Sequence, residues 1–261
     1  MLKQKYDFND FVNIIELLRS KEGCPWDREQ THDSIKQNLI EETYEVLEAI
    51  DLKDKNKMIE ELGDMLLQIV FHAQIAKEAH NFDINDIISG ICLKLINRHP
   101  HVFGQEKIEK SDEVLKNWEI NKKIEKGMKN QTDVLKSVPS NLPALIRSLK
   151  IQEKAAQVGF DWDNIEDVFN KILEEIGELK EVYKSKNIER ITDELGDVFF
   201  SIVNLSRTLH IHPELALTST IKKFIYRFEY MEVETIKEGK TLNDLNLSEM
   251  DKLWEKAKNN Y

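Results

Sequence analysis

The chain carries the stretch Glu174-Glu175-Ile176-Gly177-Glu178, and sixteen residues after its last glutamate comes Glu194-Leu195-Gly196-Asp197. The same pattern occurs earlier, as Glu41-Glu42-Thr43-Tyr44-Glu45 followed by Glu61-Leu62-Gly63-Asp64. The two copies keep a constant offset, because 175 − 42 and 194 − 61 both equal 133. An internal repeat with this period predicts two related units in tandem, each with the same cluster of carboxylates.

Helical periodicity is clearest directly after each Glu-Leu-Gly-Asp. Apolar residues recur there with the i, i+3, i+4, i+7 spacing of a core-facing helix. They are Leu62, Met65, Leu66, Ile69, Val70 and Ala73 in the first copy and Leu195, Val198, Phe199, Ile202 and Val203 in the second. A patterned segment also precedes each copy of Glu-Leu-Gly-Asp, across short polar gaps at 51–57 and 184–190. Each unit is therefore predicted to contain an antiparallel helix pair whose carboxylates can face one another.

The composition also favours helices. Only 9 glycines and 5 prolines punctuate 261 residues, and 33% of the residues are charged, whereas an all-β fold would need more turns. We predict an all-α protein with two tandem helical-bundle domains, residues 1–125 and 143–261. The stretch 126–142, where glycine, proline and short polar residues gather, is the predicted linker.

Charge and cysteine content argue against several classes of protein. No apolar run approaches the length of a membrane span and residues 1–7 lack the apolar core of a signal peptide, so we expect a cytoplasmic protein with no membrane partner. The net charge of −11 argues against a broad nucleic-acid surface. Cys24 and Cys92 support neither a disulfide framework nor a thiolate zinc site.

The repeated carboxylates lie side by side on their helices. Glu175 is one turn from Glu178, and Glu194 is one turn from Asp197. A single acidic pair is usually a solvated face, but a solvated face has no reason to recur at the same spacing in two dissimilar units. Two carboxylates ~4 Å apart repel by about 4 kcal/mol at an effective dielectric near 20, so an inward-facing cluster needs a cation. All-oxygen ligation favours Mg²⁺, or Mn²⁺ in its place, over zinc.

Basic and aromatic residues recur as well. Lys94-x-x-x-Arg98 matches Lys223-x-x-x-Arg227, Trp118-x-x-x-Lys122 matches Trp254-x-x-x-Lys258, and Trp26-Asp27 matches Trp162-Asp163. Taken singly, such residues are surface charges or core rings, and we interpret the Trp-Asp pairs as structural. Beside the carboxylates, the first two sets predict cations for phosphate and a ring for base stacking. No Walker loop is present, so phosphate would be held by side chains and metal.

The chain resembles the MazG family of nucleoside triphosphate pyrophosphohydrolases, which belongs to the all-α NTP pyrophosphatase superfamily. Besides the repeats, the resemblance is carried by Gly23-Cys24-Pro25-Trp26-Asp27, Arg98-His99-Pro100-His101-Val102-Phe103 and Val158-Gly159-Phe160-Asp161-Trp162. It extends over about residues 8–258. It implies hydrolysis of ribo- and deoxynucleoside triphosphates to monophosphate and pyrophosphate, dependence on Mg²⁺, helical-bundle domains of that superfamily's type, and a homodimer.

Carried onto this chain, the resemblance implies an active C-terminal unit. Its metal ligands would be Glu175, Glu178, Glu194 and Asp197, and its nucleotide contacts Lys171, Glu174, Arg190, Lys223, Arg227, Trp254 and Lys258. Glu174 and Glu175 are the expected catalytic residues, with Glu174 as the base.

The N-terminal unit has the matching acidic set Glu42, Glu45, Glu61 and Asp64. Its basic residues differ, because Asn38 stands where Lys171 does. The spacing from the last acidic residue to the basic pair also differs, since 94 − 64 is 30 whereas 223 − 197 is 26. We expect this site to be weak or inactive, and whether it binds or turns over nucleotide stays open.

Two other functions stay open at this stage. A narrower pyrophosphatase, for instance one confined to dUTP, would carry the same site. A nucleotide- or alarmone-sensing module would bind without hydrolysis, although two intact acidic sets argue against it. We favour a broadly specific enzyme with a house-cleaning role in the nucleotide pool.

Overall fold

The computed structural model describes residues 3–104 and 110–259, and every regular element among them is helical. The prediction of an all-α protein is thereby confirmed. The chain divides into two compact units, Met1–Lys122 and Lys123–Tyr261. No helix in the described part of the chain is long and apolar enough to cross a membrane.

The first unit is built around a long antiparallel helix pair. Its helices are α1 (Phe8–Arg19), α2 (Pro25–Glu29), α3 (Lys36–Leu52), α4 (Lys55–Glu78), α5 (Ile84–Arg98) and α6 (Pro100–Phe103), while α7 (Ser111–Glu125) crosses the division between the units. The pair is α3 and α4, and α1 and α5 pack against α4.

The second unit repeats this plan. Its helices are α8 (Gln131–Lys136), α9 (Ala144–Ala156), α10 (Ile165–Val182), α11 (Ile188–Thr208), α12 (Pro213–Lys237) and α13 (Leu247–Lys258), with a 3₁₀ turn at Leu242–Asp244. Here α10 and α11 form the antiparallel pair, α9 packs on α11, and α12 packs on α13. The predicted linker, residues 126–142, falls inside this unit and holds α8, with Val134 and Val138 buried.

The repeat is also visible in the backbone of the two hairpins. Lys53 and Lys186, equivalent under the repeat, both adopt the left-handed conformation after the first helix of each pair. The next residues, Asp54 and Asn187, accept hydrogen bonds from backbone N–H groups at the start of the second helix. A left-handed residue followed by a side-chain cap reverses the chain within few residues. This tight connection aligns the acidic turns of the paired helices.

The predicted core faces of α4 and α11 are only partly buried. Val70, Ala73, Val198 and Val203 are buried as expected. Several other members of the two stripes are exposed, namely Leu62, Leu66, Ile69, Leu195, Phe199 and Ile202. The prediction that these residues face the core of their own unit was wrong, because each apolar stripe is wider than the surface that the neighbouring helices cover.

Candidate active site

The α10–α11 hairpin brings three of the predicted metal ligands together. One carboxylate oxygen each of Glu175, Glu194 and Asp197 lies within 4.8 Å of the other two. Glu175 is buried, with 6% of its surface exposed. Glu178, the fourth predicted ligand, lies one turn after Glu175 and is exposed. Partial desolvation of its carboxyl, followed by the charges of Glu175 and Glu194, raises the pKa of Glu178, so this residue lies within the field of the cluster.

The α3–α4 hairpin holds the corresponding acidic set of the first unit. Oxygens of Glu42, Glu45 and Glu61 lie within 4.8 Å of one another, and Glu61 is buried. Asp64 is half-buried and adds its charge to the burial that raises the pKa of Glu42. Both units therefore gather three carboxylates, but the third member is Glu45 in the first unit and Asp197 in the second.

Lys171 distinguishes the second cluster from the first. Its Nζ lies 2.8 Å from Glu175 Oε1 and 2.9 Å from Glu174 Oε1. These bonds, with the one to Glu175 the larger cause, raise the pKa of Lys171 above its ordinary value. At the corresponding position of the first unit, the amide of Asn38 supplies no positive charge.

The second cluster fits a hard divalent cation. The three carboxylates carry a formal charge of −3, and the ammonium of Lys171 is shared between Glu174 and Glu175, so the negative charge that remains would favour a bound divalent cation. The donor atoms are all oxygens, the ligands that Mg²⁺ and Mn²⁺ prefer, and both helices of the hairpin contribute. Glu178, the fourth predicted ligand, lies one turn from Glu175 and outside this group of three.

A cavity of about 570 Å³ adjoins the cluster, and Lys171, Glu175 and Asp197 form part of its wall. The rest of the wall is mostly apolar, with Ile151, Val168 and Phe200 among its residues. Ligand pockets typically measure ~300–1,000 Å³ and combine an apolar lining with a few polar groups. If a divalent cation were held by the carboxylates, the charged end would suit an anionic group, and the apolar remainder would suit the rest of the same molecule.

The other predicted nucleotide contacts lie outside this wall, as far as the described residues show. Arg190 is exposed in the first turn of α11. On α12, the guanidinium carbon of Arg227 lies 5.4 Å from the centre of the Trp254 ring of α13. Lys223 lies one turn before Arg227, and Lys258 one turn after Trp254, where it forms an ion pair with Glu255. In the first unit, Arg98 lies over Trp118 in the same way, at 5.1 Å.

Several residues of the cavity wall were missed by sequence reasoning. They are Gln152, Phe160, Asp161, Ser201, Asn204 and Arg207. Trp162, interpreted from sequence as structural, also lines the cavity. A signal for Asn204 was present. Under the repeat it aligns with Phe71, since 204 − 71 is 133, so a polar residue stands where the first unit has an aromatic one.

Comparison with known proteins bears on both acidic sets. The profile of the MazG nucleotide pyrophosphohydrolase domain matches residues 30–103 and 164–231. The nucleoside triphosphate pyrophosphohydrolase/pyrophosphatase MazG of Thermotoga maritima is 50% identical over 96% of this chain and 95% of its own length. The nucleoside triphosphate pyrophosphohydrolase of Escherichia coli K12 is 42% identical over 95% of both chains. The protein YabN of Bacillus subtilis is 48% identical over 97% of this chain, which spans 52% of YabN.

Proposed function

The chain belongs to the MazG family of nucleotide pyrophosphohydrolases, and we propose that it hydrolyses nucleoside triphosphates at the carboxylate cluster of its second unit. The products are a nucleoside monophosphate and pyrophosphate. The observation that carries the assignment to this unit is the convergence of Glu175, Glu194 and Asp197 beside Lys171 and the cavity. The cluster of the first unit lacks the equivalent of Lys171.

Mg²⁺ is the proposed cofactor, with Mn²⁺ able to replace it. Glu175, Glu178, Glu194 and Asp197 would hold it. Such a cation, when bound, supplies charge neutralisation for phosphate oxygens and lowers the pKa of a bound water. The proximity of the three carboxylates supports this proposal, because negative groups that lie close together are stabilised when a cation joins them.

The protein's own side chains then have two tasks. Glu174, exposed and hydrogen-bonded to Lys171, takes a proton from the water that attacks the α-phosphorus. As the new P–O bond forms, the bond from the α-phosphorus to the bridging oxygen breaks, and pyrophosphate leaves with the electron pair. The Lys171 ammonium lies close enough to the cluster to neutralise charge that builds on the phosphate groups.

We propose a homodimer on the evidence of the uncovered apolar faces. Leu195, Phe199 and Ile202 are exposed along α11, the helix that also carries the predicted metal ligands Glu194 and Asp197. Contiguous exposed apolar patches commonly mark an interface between proteins. A partner copy could also present Lys223, Arg227 and Trp254 to the phosphates, since these residues do not line the cavity of their own chain. A cytoplasmic location remains the proposal from the sequence.

Broad base specificity, with a house-cleaning role in the nucleotide pool, is also proposed. The supporting observation is a cavity wall whose exposed area is mainly apolar. A panel of ribo- and deoxynucleoside triphosphates incubated with Mg²⁺ tests the function, with initial products separated by chromatography. We expect monophosphate and pyrophosphate from most of the panel. Diphosphate and orthophosphate as initial products would refute attack at the α-phosphorus.

A further inference from the structure

A short segment between α9 and α10 forms one wall of the cavity. All four of its residues, 159–162, line the cavity, and we call this segment the strap. Two of the four are aromatic and lie at the rim, since Phe160 is 81% exposed and Trp162 is 46% exposed. A molecule bound in the cavity would cover part of this aromatic surface and remove it from water.

The backbone of the strap has few attachments to the rest of the second unit. Gly159 has a positive φ of 83°, and the N–H groups of Gly159 and Phe160 donate to carbonyls in the last turn of α9. Residues 161–163 form no backbone–backbone hydrogen bond within the described part of the chain. A segment with so few hydrogen bonds opens at a low cost in free energy, so its position depends on side-chain contacts.

Arg207 of α11 supplies such a contact through a two-point bond to Asp161, which we call the fork. Arg207 Nη1 donates to Asp161 Oδ2 at 3.0 Å, and Nη2 donates to Asp161 Oδ1. The fork is the largest cause that holds the pKa of Asp161 below its ordinary value, so the pair is charged at neutral pH.

Both partners of the fork are themselves held in place. Arg207 Nε and Nη2 donate to Asn204 Oδ1 at 3.0 and 2.9 Å, which fixes the guanidinium on α11. Asp161 Oδ1 also accepts the backbone N–H of Trp162 at 2.8 Å. A planar guanidinium bonded at two points fixes the direction of its partner as well as its distance. The fork therefore orients the part of the strap that lies between the two aromatic rings.

The corresponding segment of the first unit is held in another way. With the offset of 136 at the Trp-Asp pairs, Pro25 stands where Asp161 does, and with the offset of 133 in the hairpins, Gln74 stands where Arg207 does. Proline and glutamine cannot form an ion pair. Instead, the segment folds into α2, and Arg19 of α1 donates to backbone carbonyls within and just after that helix. The fork thus distinguishes the unit that is proposed to be active.

The fork lies at the end of the cavity away from the carboxylate cluster. Asp197 and Arg207 both line the cavity and both belong to α11. A helix rises 1.5 Å per residue, so Arg207 lies about 15 Å along α11 from Asp197. A group at that distance does not reach a phosphorus atom that is bound at the cluster. Any influence of the fork on the reaction is therefore exerted through binding.

We propose that Arg207 is a positioning residue that, through Asp161, holds the strap and its two aromatic rings against the bound substrate. This inference rests on the proposed function and deepens it. A strap that is already in place before the substrate arrives need not be ordered on binding, which strengthens binding. Because the fork is far from the reacting bond, it should stabilise the bound substrate and the transition state equally, and its loss should raise KM without lowering kcat.

The test is pyrophosphate release from ATP and Mg²⁺ by Arg207→Met, which keeps a long side chain and removes the charge. We expect KM to rise roughly tenfold, the factor that one hydrogen bond to a charged group typically contributes. The value of kcat should stay within about threefold of wild type. A fork with a purely structural role would lower the melting temperature and leave KM unchanged. An unchanged KM, or a loss confined to kcat, would overturn the proposal.

A double-mutant cycle tests whether Arg207 acts through Asp161. Asp161→Asn should raise KM by a similar factor, and the double variant should resemble either single variant, because each change already breaks the fork. If the two effects multiply, to about 100-fold in the double variant, Arg207 acts on the substrate independently of Asp161, and the proposal is overturned.

The matched control is Arg28→Met in the first unit. Arg28 is an exposed arginine of α2 that donates to the Lys21 carbonyl at 2.8 Å, so the change removes an arginine contact from the corresponding segment. KM should keep its wild-type value in this variant. A KM raised as in Arg207→Met would overturn the assignment of the effect to the strap of the second unit.

Binding of α,β-methylene ATP with Mg²⁺, measured by calorimetry, gives a readout independent of turnover, because this analogue has no oxygen between its α- and β-phosphorus atoms. Its Kd should be roughly tenfold higher for Arg207→Met than for wild type. If wild type releases no pyrophosphate from any nucleoside triphosphate, the proposed function fails, while the two Kd values still decide the role of the fork. Equal Kd values, or no binding to wild type, would overturn that role.

Discussion

Glu175→Gln is expected to reduce pyrophosphate release by about 10³-fold. The amide keeps the size of the side chain, so the change removes one charge from a cluster whose oxygens lie within 4.8 Å of one another. A unit charge and a divalent cation ~4 Å apart attract by about 8 kcal/mol at an effective dielectric near 20. If the neutral amide oxygen retains half of this as a ligand, about 4 kcal/mol is lost, which corresponds to about 10³-fold in rate.

The assay is initial pyrophosphate release from ATP, measured at several Mg²⁺ concentrations. Glu42→Gln is the matched control, because Glu42 is the repeat equivalent of Glu175 and belongs to the other cluster. We expect this control to change the rate by less than about threefold, under about 1 kcal/mol, because Glu42 is not part of the cluster proposed to act on substrate. Equal losses from the two substitutions would mean that both clusters turn over substrate or that they are coupled, and the assignment to the second unit would then be withdrawn.

Three further outcomes follow from other parts of the structure. Mg²⁺ should raise the melting temperature, Asp197→Asn should shrink that shift, and activity that survives EDTA would contradict the metal proposal. Phe71→Asn should cost about 4 kcal/mol of unfolding free energy in urea denaturation, because it removes a buried ring and buries an amide; a loss under about 1 kcal/mol would contradict its place in the core. The hydrogen bonds from Arg19 hold the pKa of Glu78 below its ordinary value. Their stabilisation should be present above that ordinary value and lost as pH falls through the folded-state pKa, so Glu78→Gln should flatten the acid side of a stability-against-pH curve.

The sequence predicted the helices well, because their signals are local. The repeated acidic pattern and the apolar periodicity predicted both hairpins, and three of the four proposed ligands in each unit do converge. Apolar periodicity does not indicate how much of a helix's apolar stripe other helices cover. Phe199 and its neighbours on the stripe were therefore predicted to lie in the core, but they are exposed. Coverage depends on which helices pack alongside, and that is a tertiary property.

The cavity was harder to predict for the same reason. Gln152 lies on α9, far in sequence from the acidic pattern. Its side chain is held in the cavity wall by the hydrogen bond that its Nε2 donates to the Phe200 carbonyl of α11. No residue spacing encodes that contact. Asn204 could have been found by aligning the two units, but only the buried cluster around Phe71 shows what the exchange means physically.

In the first unit the guanidinium carbon of Arg19 lies 5.1 Å from the centre of the buried Phe71 ring, whereas the second unit has Ala155 and Asn204 at the matching positions. A binding pocket is a space that the protein's own side chains leave unpacked. When side chains fill this space, ligand binding is lost and the free energy of unfolding increases. If one copy of a duplicated domain no longer needs to catalyse the reaction, its side chains could fill the pocket, and that copy could serve as a structural support for the other. If catalysis belongs to the second unit alone, as proposed, the two halves of this chain would show within one protein the trade between activity and stability that is normally inferred by comparing separate proteins.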